Sequence, residues 1–266
     1  MRHPSRPVRH AVILAAGLGS RLRPLTRARP KPLVEVHGVP ILHNTLACLA
    51  RAGVRRATIV VGYRKELIVQ SCGRSFAGVR ITYCESSVFD RTGSAYSLWL
   101  ARDALCEDSL LIEGDVMFES RVVDRLLHAA PGDVAAVAPF TPPMTGSAVR
   151  LTPAAQVASV HLSQTADNPR EARLFKLVNL TRFSGRTLRE RIVPALGELV
   201  TLRSRTAYVE QLLEQLIDRG ELELATTQCG DLKWFEIDSP DDLRIAERIF
   251  ASEPARLRPV HAHAVP

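Results

Sequence analysis

Gly17, Gly19 and Arg21 stand at alternate positions directly after the apolar run Ala11 to Ala16, and the segment Pro30-Lys31-Pro32 follows one loop later. The small residues Leu14-Ala15-Ala16-Gly17 and Gly19-Ser20 let a backbone approach a polyphosphate. Their N–H groups serve as donors, and Arg21 and Lys31 bring positive charge to the same place. Such a segment suits an anion. Lysine is otherwise scarce: of 35 basic residues only Lys31, Lys65, Lys176 and Lys233 are lysines. A lysine kept in an arginine-rich chain suggests a position that needs a compact ammonium, with surface solvation the ordinary alternative at Lys65.

Two phosphate-loop signatures do not fit. A dinucleotide fold asks for GxGxxG, but Leu22 stands where the third glycine belongs, and a nicotinamide site has no need of the cationic Pro-Lys-Pro. No GKS or GKT triplet follows the glycines, as a Walker loop requires.

The segment Leu14 to Thr26, continued by Pro30-Lys31-Pro32-Leu33, resembles the signature of the nucleotidyltransferases that activate sugar 1-phosphates, phosphocholine and phosphonates. The resemblance runs from Ala11 to about Phe250 and weakens around Pro139 to Arg173. It implies that Leu14, Ala15, Ala16, Gly17, Gly19, Ser20 and Arg21 hold an NTP and that Lys31 reaches its phosphates. It also implies that Asp115, in Glu113-Gly114-Asp115, and Asp238, in Glu236-Ile237-Asp238, hold Mg²⁺, an ion that two carboxylates can clamp together with phosphate oxygens and water. Taken alone, Asp115 reads as a solvated turn residue and Asp238 as the cap of the helix that Pro240 begins.

Arg91 to Ala101 looks nearer the cytidylyl-transferring branch than the sugar branch, with Gly93 and Ser94 where relatives read the base. Cys84-Glu85 occupy the place of the sugar branch's glutamine. Phe175-Lys176-Leu177-Val178-Asn179-Leu180 resembles the KxVNxY stretch of phosphocholine and phosphonate cytidylyltransferases, which sets Lys176 against the acceptor's phosphate. On an alternating strand Lys176 and Asn179 point to opposite faces, so both reach one ligand only if the strand ends or bulges between them. Glu210 is a candidate for an acceptor amino group. The aromatics Tyr96, Trp99, Tyr208 and Trp234 are as plausible in the core as around a quaternary ammonium. The implied reaction is transfer of CMP from CTP to a phosphocholine-like or aminoalkyl or hydroxyalkyl phosphonate acceptor, with Arg21, Lys31 and Lys176 as the catalytic cations. A sugar-1-phosphate nucleotidyltransferase using UTP, dTTP or GTP, and a non-catalytic nucleotide-sensing or assembly subunit, stand as alternatives.

The elements that must position these residues alternate short apolar runs with amphipathic stretches, the mark of a parallel sheet covered by helices. Strands are expected at Ala11 to Ala16, Ala57 to Val61, Val79 to Tyr83, Leu110 to Ile112 and Asp133 to Ala138. Between Ser147 and Phe183 the pattern turns to an antiparallel excursion, and a last helix spans Pro240 to Phe250. The expected fold is a three-layer αβα Rossmann-like sandwich with a mostly parallel mixed sheet. One nucleotidyltransferase domain is expected over 1–252, with a disordered tail over 253–266.

A chain of 266 residues, 46% apolar and 24% charged, can bury a full core. No run approaches the roughly 20 apolar residues of a membrane span, so a cytoplasmic protein without membrane contact is expected. The net charge of +7 comes from scattered arginines rather than an aromatic-interleaved stripe, which argues against nucleic acid. The five cysteines lack a CxxC pair and are expected to be reduced. A homodimer is left open.

Overall fold

The computed structural model describes residues 7–165 and 174–251. The tail expected over 253–266 and the strand start expected at Arg173 lie outside the described residues.

In β1 (His10–Ala15) all six residues are buried, because parallel neighbours flank both of its edges and helices cover both faces of the sheet. After the glycine loop come a short hairpin of β2 (Glu35–Val36) and β3 (Val39–Pro40), then α1 (Ile41–Arg51), β4 (Arg56–Val61) and α2 (Lys65–Cys72). β5 (Ser75–Phe76), β6 (Val79–Glu85), α3 (Ser94–Leu100), β7 (Ser109–Glu113), β8 (Val116–Phe118), α4 (Ser120–His128) and β9 (Val134–Pro139) follow. The excursion is β10 (Thr145–Leu151), β11 (Val157–Thr165) and β12 (Phe175–Phe183). Next, α5 (Gly185–Thr187) and α6 (Val193–Glu198) are each continued by a π-helical turn, Leu188–Ile192 and Leu199–Arg203. The described chain closes with α7 (Val209–Asp218), β13 (Ala225–Gln228), β14 (Trp234–Glu236) and α8 (Pro240–Phe250).

The main sheet runs β11-β10-β12-β7-β1-β4-β6-β5, with β9 paired to β12 and β13 to β9. Its β7-β1-β4-β6 centre is parallel, and β12 joins antiparallel to β7. Successive side chains of β1 point to opposite faces. Ala11, Ile13 and Ala15 pack with Leu42, Leu46, Ile68, Val122 and Leu126 of α1, α2 and α4. Val12 and Leu14 pack with Leu98, Leu196, Leu212 and Leu216 of α3, α6 and α7. These are the three layers expected. Sequence reading missed β8, a three-residue strand with no room for a period, whose antiparallel pairing with β14 forms a separate small sheet.

His10 and Arg182 are polar groups buried in this sheet. The His10 ring lies 2.9 Å from Ser109 Oγ and 3.0 Å from Thr58 Oγ1, and burial holds its pKa below the ordinary value. Arg182, 7% exposed on β12, donates to the carbonyls of Leu126 (2.7 Å), Ala129 (3.2 Å) and Gly132 (3.1 Å), and also to that of Ala130. It thereby satisfies carbonyls that the end of α4 leaves without helical partners. Replacing it with methionine strands these acceptors and should cost about 2–4 kcal/mol. Lysine, lacking the planar fork, should restore only part of this. Thermal or urea unfolding checks both; an unchanged midpoint for Arg182→Met contradicts the role.

Candidate active site

The loop after β1 is folded back onto Lys31. Gly19 adopts a left-handed conformation (φ 60°), its carbonyl accepts from Thr26 Oγ1 at 2.7 Å, and a Cβ placed on it would lie 2.8 Å from Lys31 Cβ. Only glycine meets both conditions without displacement. The N–H groups of Gly17, Leu18, Gly19 and Ser20 find no acceptor among the described residues. They remain available to an anion. Pro30 is extended, and Pro32 sits early in the one-turn 3₁₀ helix Lys31–Leu33, which Val34 N–H closes onto Lys31 O at 2.9 Å.

The two aspartates meet because β8 and β14 pair. Glu236 lies opposite Val116, and Ile237 N–H donates to Asp115 O at 2.9 Å, so the turns carrying Asp115 and Asp238 lie side by side. The cap of α8 is Ser239, which exchanges hydrogen bonds with Asp242; Asp238 N–H also donates to Asp242. The Asp238 side chain is thus free for the site. Lys31 Nζ donates to Asp115 Oδ2 at 2.8 Å and to Asp238 Oδ1 at 2.6 Å. Burial alone would lower the Lys31 pKa, but the two carboxylates outweigh it and hold the ammonium above its ordinary value. Burial likewise opposes ionisation of Asp238, and Lys31 reverses that, with Arg21 adding to the effect. Arg21 reaches Asp238 Oδ1 at 2.8 Å with 70% of its side chain exposed. So exposed a pair adds little stability and leaves the guanidinium free to change partner.

Above these groups lies a cavity of about 460 Å³. Leu14, Ala15, Ala16, Gly17, Gly19, Ser20, Arg21, Lys31, Gly93 and Ser94 all line it, together with Asp115 and Asp238. A second cavity, of about 760 Å³, shares Arg21, Ser94, Glu113, Asp115 and Asp238 with the first and includes Asn179 and Glu210. Lys176 lines neither. Its side chain is 2% exposed and its ammonium lies 2.7 Å from Glu236 Oε2, beneath the second cavity's wall. In β12 the register slips between Leu177 and Thr181 and Asn179 takes a left-handed φ of 62°, so strict alternation fails. Asn179 Nδ2 thereby donates to Glu236 Oε1 at 3.0 Å, and Lys176 and Asn179 hold one carboxylate between them. Burial raises Glu236 to about 7, against the pull of Lys176.

Sequence reading passed over Glu113, Glu236 and Thr206, all of which line the second cavity, and weighed Tyr208 only as one of four aromatics. Each of the two glutamates stands two residues before a chosen aspartate, and strand alternation turns i and i+2 to the same side, which is the signal that was available. Thr206 carried none: it arrives, together with Tyr208, because Gly93 lets the 205–209 segment approach. Gly93 N–H donates to Arg205 O (2.8 Å), Ala95 N–H to Ala207 O (3.1 Å), and Val209 N–H to Ser94 Oγ (3.0 Å). The Gly93 N–H and the Ser94 hydroxyl, expected to read a base, thus already have protein partners. Of the four aromatics considered, Tyr208 lines the cavities, whereas Trp234 is buried in the core and Trp99 packs against Gly197 beneath Arg102.

The carboxylate pair suits a hard cation. Asp115 Oδ1 is buried without a hydrogen-bond partner, an oxygen free to serve as a ligand. Among the described residues no group of three or more His, Cys, Asp or Glu is disposed to hold a metal, so an ion here must complete its shell with phosphate or water. Lys31 and such an ion draw on the same two carboxylates, Lys31 holding Asp115 Oδ2 and Asp238 Oδ1.

The nucleotidyl transferase family model matches residues 10–140. Over 253 residues, 92% of this chain, the sequence is 38% identical to CMP-5'-(3-aminopropyl)phosphonate synthase of Streptomyces rubellomurinus, of which the match covers 39%. It is 42% identical over 114 residues, 43% of this chain, to a UTP–glucose-1-phosphate uridylyltransferase of Haloferax volcanii, of which the match covers 46%. The chain thus spans less than half the length of these curated relatives. CTP:phosphocholine cytidylyltransferase from Streptococcus pneumoniae superposes with a TM-score of 0.75 over 91% of this chain and 100% of its own, at 22% identity, a likeness of fold. No helix among the described residues is long and apolar enough to cross a membrane.

A Cβ on Gly93 would lie 2.1 Å from Ala207 O and 2.4 Å from Thr206 O, so Gly93→Ala must displace the segment that walls both cavities. We expect a loss of about 2–4 kcal/mol and faster hydrogen exchange at Gly93 and Ala95. Unfolding midpoints and exchange mass spectrometry measure these; wild-type values in both mean that the contact does not hold the segment.

Proposed function

We propose that this chain, which matches the nucleotidyl transferase family model over residues 10–140, is a CTP-dependent cytidylyltransferase that transfers CMP to a small phosphonate or phosphate and releases pyrophosphate. The observation that carries this reading is the convergence of the donor loop, Lys31, Asp115 and Asp238 on one cavity that opens into a second. Two anions must meet in such a reaction, and adjoining cavities with cations at their junction suit that task.

In this reading the triphosphate lies against the free N–H groups of Gly17 to Ser20, with Arg21 and Lys31 turned from Asp238 onto its oxygens. The acceptor oxygen is already largely ionised near neutral pH, so no general base is needed. It forms the new P–O bond at the α-phosphorus as the bond to the β-phosphate oxygen breaks in line, and the electron pair leaves with pyrophosphate. Mg²⁺, when held by Asp115 and Asp238, would supply neutralisation of phosphate charge. Lys176 and Asn179 fix Glu236 under the acceptor cavity and so set its charge and shape. The lean to CTP rests on the Thr92 to Ala101 segment and on the phosphonate relative. A sugar 1-phosphate with UTP is the second reading, supported by the uridylyltransferase likeness over 114 residues.

Lys31→Met removes the compact charge from the triphosphate and should lower turnover by about 10²–10³-fold. Asp115→Asn, or EDTA in the assay, should cost on the order of 10²-fold or more. Steady-state pyrophosphate release tests all three; wild-type rates for Lys31→Met, or full activity in EDTA, contradict the assignments.

Pyrophosphate release should be fastest with CTP when the four NTPs are crossed with 3-aminopropylphosphonate, 2-aminoethylphosphonate, phosphocholine and glucose 1-phosphate. A site that bonds the base's distinguishing groups can reject the wrong one by about 10⁴-fold. Faster reaction of UTP or dTTP with glucose 1-phosphate overturns the cytidylyl reading and leaves nucleotidyl transfer standing.

A further inference from the structure

The hydrogen bonds of the loop after β1 are one-sided. The carbonyl of Leu14 accepts from Gly114 N–H at 2.8 Å, that of Ala16 from Tyr63 N–H at 3.0 Å, that of Gly19 from Leu22 N–H at 3.1 Å and that of Ser20 from Arg23 N–H at 3.3 Å. The N–H groups of Gly17 to Ser20 have no acceptor among the described residues. Carbonyls engaged by the protein and amides left to the cavity make a surface that attracts an anion. Of these four carbonyls, Gly19 O is the one that a side chain also holds: the Thr26 hydroxyl donates to it at 2.7 Å.

Gly19 is also where the loop is most easily misarranged. The C=O of Gly19 and the N–H of Ser20 belong to one planar trans peptide and point in opposite directions, so whatever fixes the carbonyl fixes the amide. A glycine at φ 60° and ψ 38° has no Cβ to bar the reverse orientation. Turning that peptide over would aim a carbonyl oxygen at the cavity in place of an N–H, and an anion would be repelled where it is now attracted. Thr26 opposes the turn in two ways. Its hydroxyl holds the carbonyl, and its methyl group lies 3.1 Å from where a Cβ of Gly19 would stand, a point itself 2.8 Å from Lys31 Cβ. At 1% exposure, Thr26 is shielded from water that could take over the bond.

We infer that Thr26 is a positioning residue of the donor loop: by locking the Gly19 carbonyl it keeps the Ser20 N–H turned to the phosphates. It acts through the backbone, since Thr26 lines neither cavity whereas Gly19 and Ser20 line the first. The inference rests on the transferase reading for the identity of the anion as a nucleoside triphosphate, but not for the loop's affinity for a polyphosphate. Two substitutions separate the hydroxyl from the rest of the side chain. Thr26→Val keeps the branched shape and loses the donor, and Thr26→Ser keeps the donor and loses the methyl group.

Isothermal titration of the full chain with inorganic tripolyphosphate and with CTP tests this directly, with pyrophosphate release run in parallel. Thr26→Val should bind both ligands about 10-fold more weakly than the wild type, because apparent affinity falls with the fraction of loops in the competent orientation, and Thr26→Ser should stay within about 3-fold. In the release assay Thr26→Val should raise the KM for CTP by the same factor and leave the acceptor's KM unchanged. A hydroxyl that only stabilises the fold would lower the melting temperature without altering the anion affinity of the folded protein. Unchanged affinity in Thr26→Val, or an equal loss in Thr26→Ser, therefore overturns the inference. Should Thr26→Val fail to fold, the wild type decides by nuclear magnetic resonance: the Ser20 amide must shift when tripolyphosphate is added, and a fixed resonance overturns the inference. Weakened binding in Thr26→Val with no pyrophosphate release by the wild type supports the lock and overturns the transferase reading; release at an unchanged KM for CTP in Thr26→Val does the reverse.

Discussion

The ammonium of Lys31, held between Asp115 and Asp238, joins three parts of the chain that the fold brings together from far apart in sequence. Each needs separate support. The glycine loop must fold back over Lys31, the 3₁₀ turn Lys31–Leu33 must aim the side chain, and the β8–β14 pairing must bring the aspartates abreast. A part-buried ammonium is costly unless paired, and so is a part-buried carboxylate. Together they stabilise each other, and the ordinary order of pKa values is widened rather than narrowed. The small sheet of β8 and β14 lies outside the main sheet, so the aspartate pair can be set by local register while the glycine loop is set by β1.

Parallel strands explain why these groups meet at one edge. β1, β4, β6 and β7 all run the same way, and the loops that follow them open on the same side of the sheet. The excursion β10–β12 enters against that direction and adds a second wall without disturbing the first. Its bulge at Val178 to Leu180 matters for this reason: a regular strand would have sent Asn179 into the opposite layer, away from Glu236.

Much of this was legible in the residues. The buried strands showed as short apolar runs, and Pro240 to Phe250 showed as a helix through its proline start, although its cap is Ser239 rather than the Asp238 that the sequence offered. The donor loop was legible because its chemistry is local: glycines, a cation and a proline-flanked lysine within one stretch. Lys176 and Asn179 were harder. Their relation depends on a backbone irregularity that residue types do not announce, and the salt bridge to Glu236 joins positions 60 apart. The approach of Thr206 to Gly93 was invisible, since it depends on two helices packing and on a missing Cβ. β8 was lost because three buried residues carry no period.

The pairing of its charges also explains how a site so dense in them can fold. Arg21, Lys31 and Lys176 are each paired with a carboxylate of the site, so none of these three cations waits unpaired. These are the same groups that the proposed reaction uses, and the partners they hold are interchangeable with ligand groups of the same charge. A triphosphate can take Arg21 and Lys31 from Asp238, and a cation can take the aspartates that Lys31 releases. Exchange of one counter-charge for another avoids exposing a bare charge in a dry cavity, where it would be most costly. Arg21, largely exposed and bonded at one atom, is the partner most easily released, and Lys31 the least. Binding would then proceed from the solvent side inward, the outer cation turning first and the buried one only when phosphate oxygens are near enough to replace both aspartates.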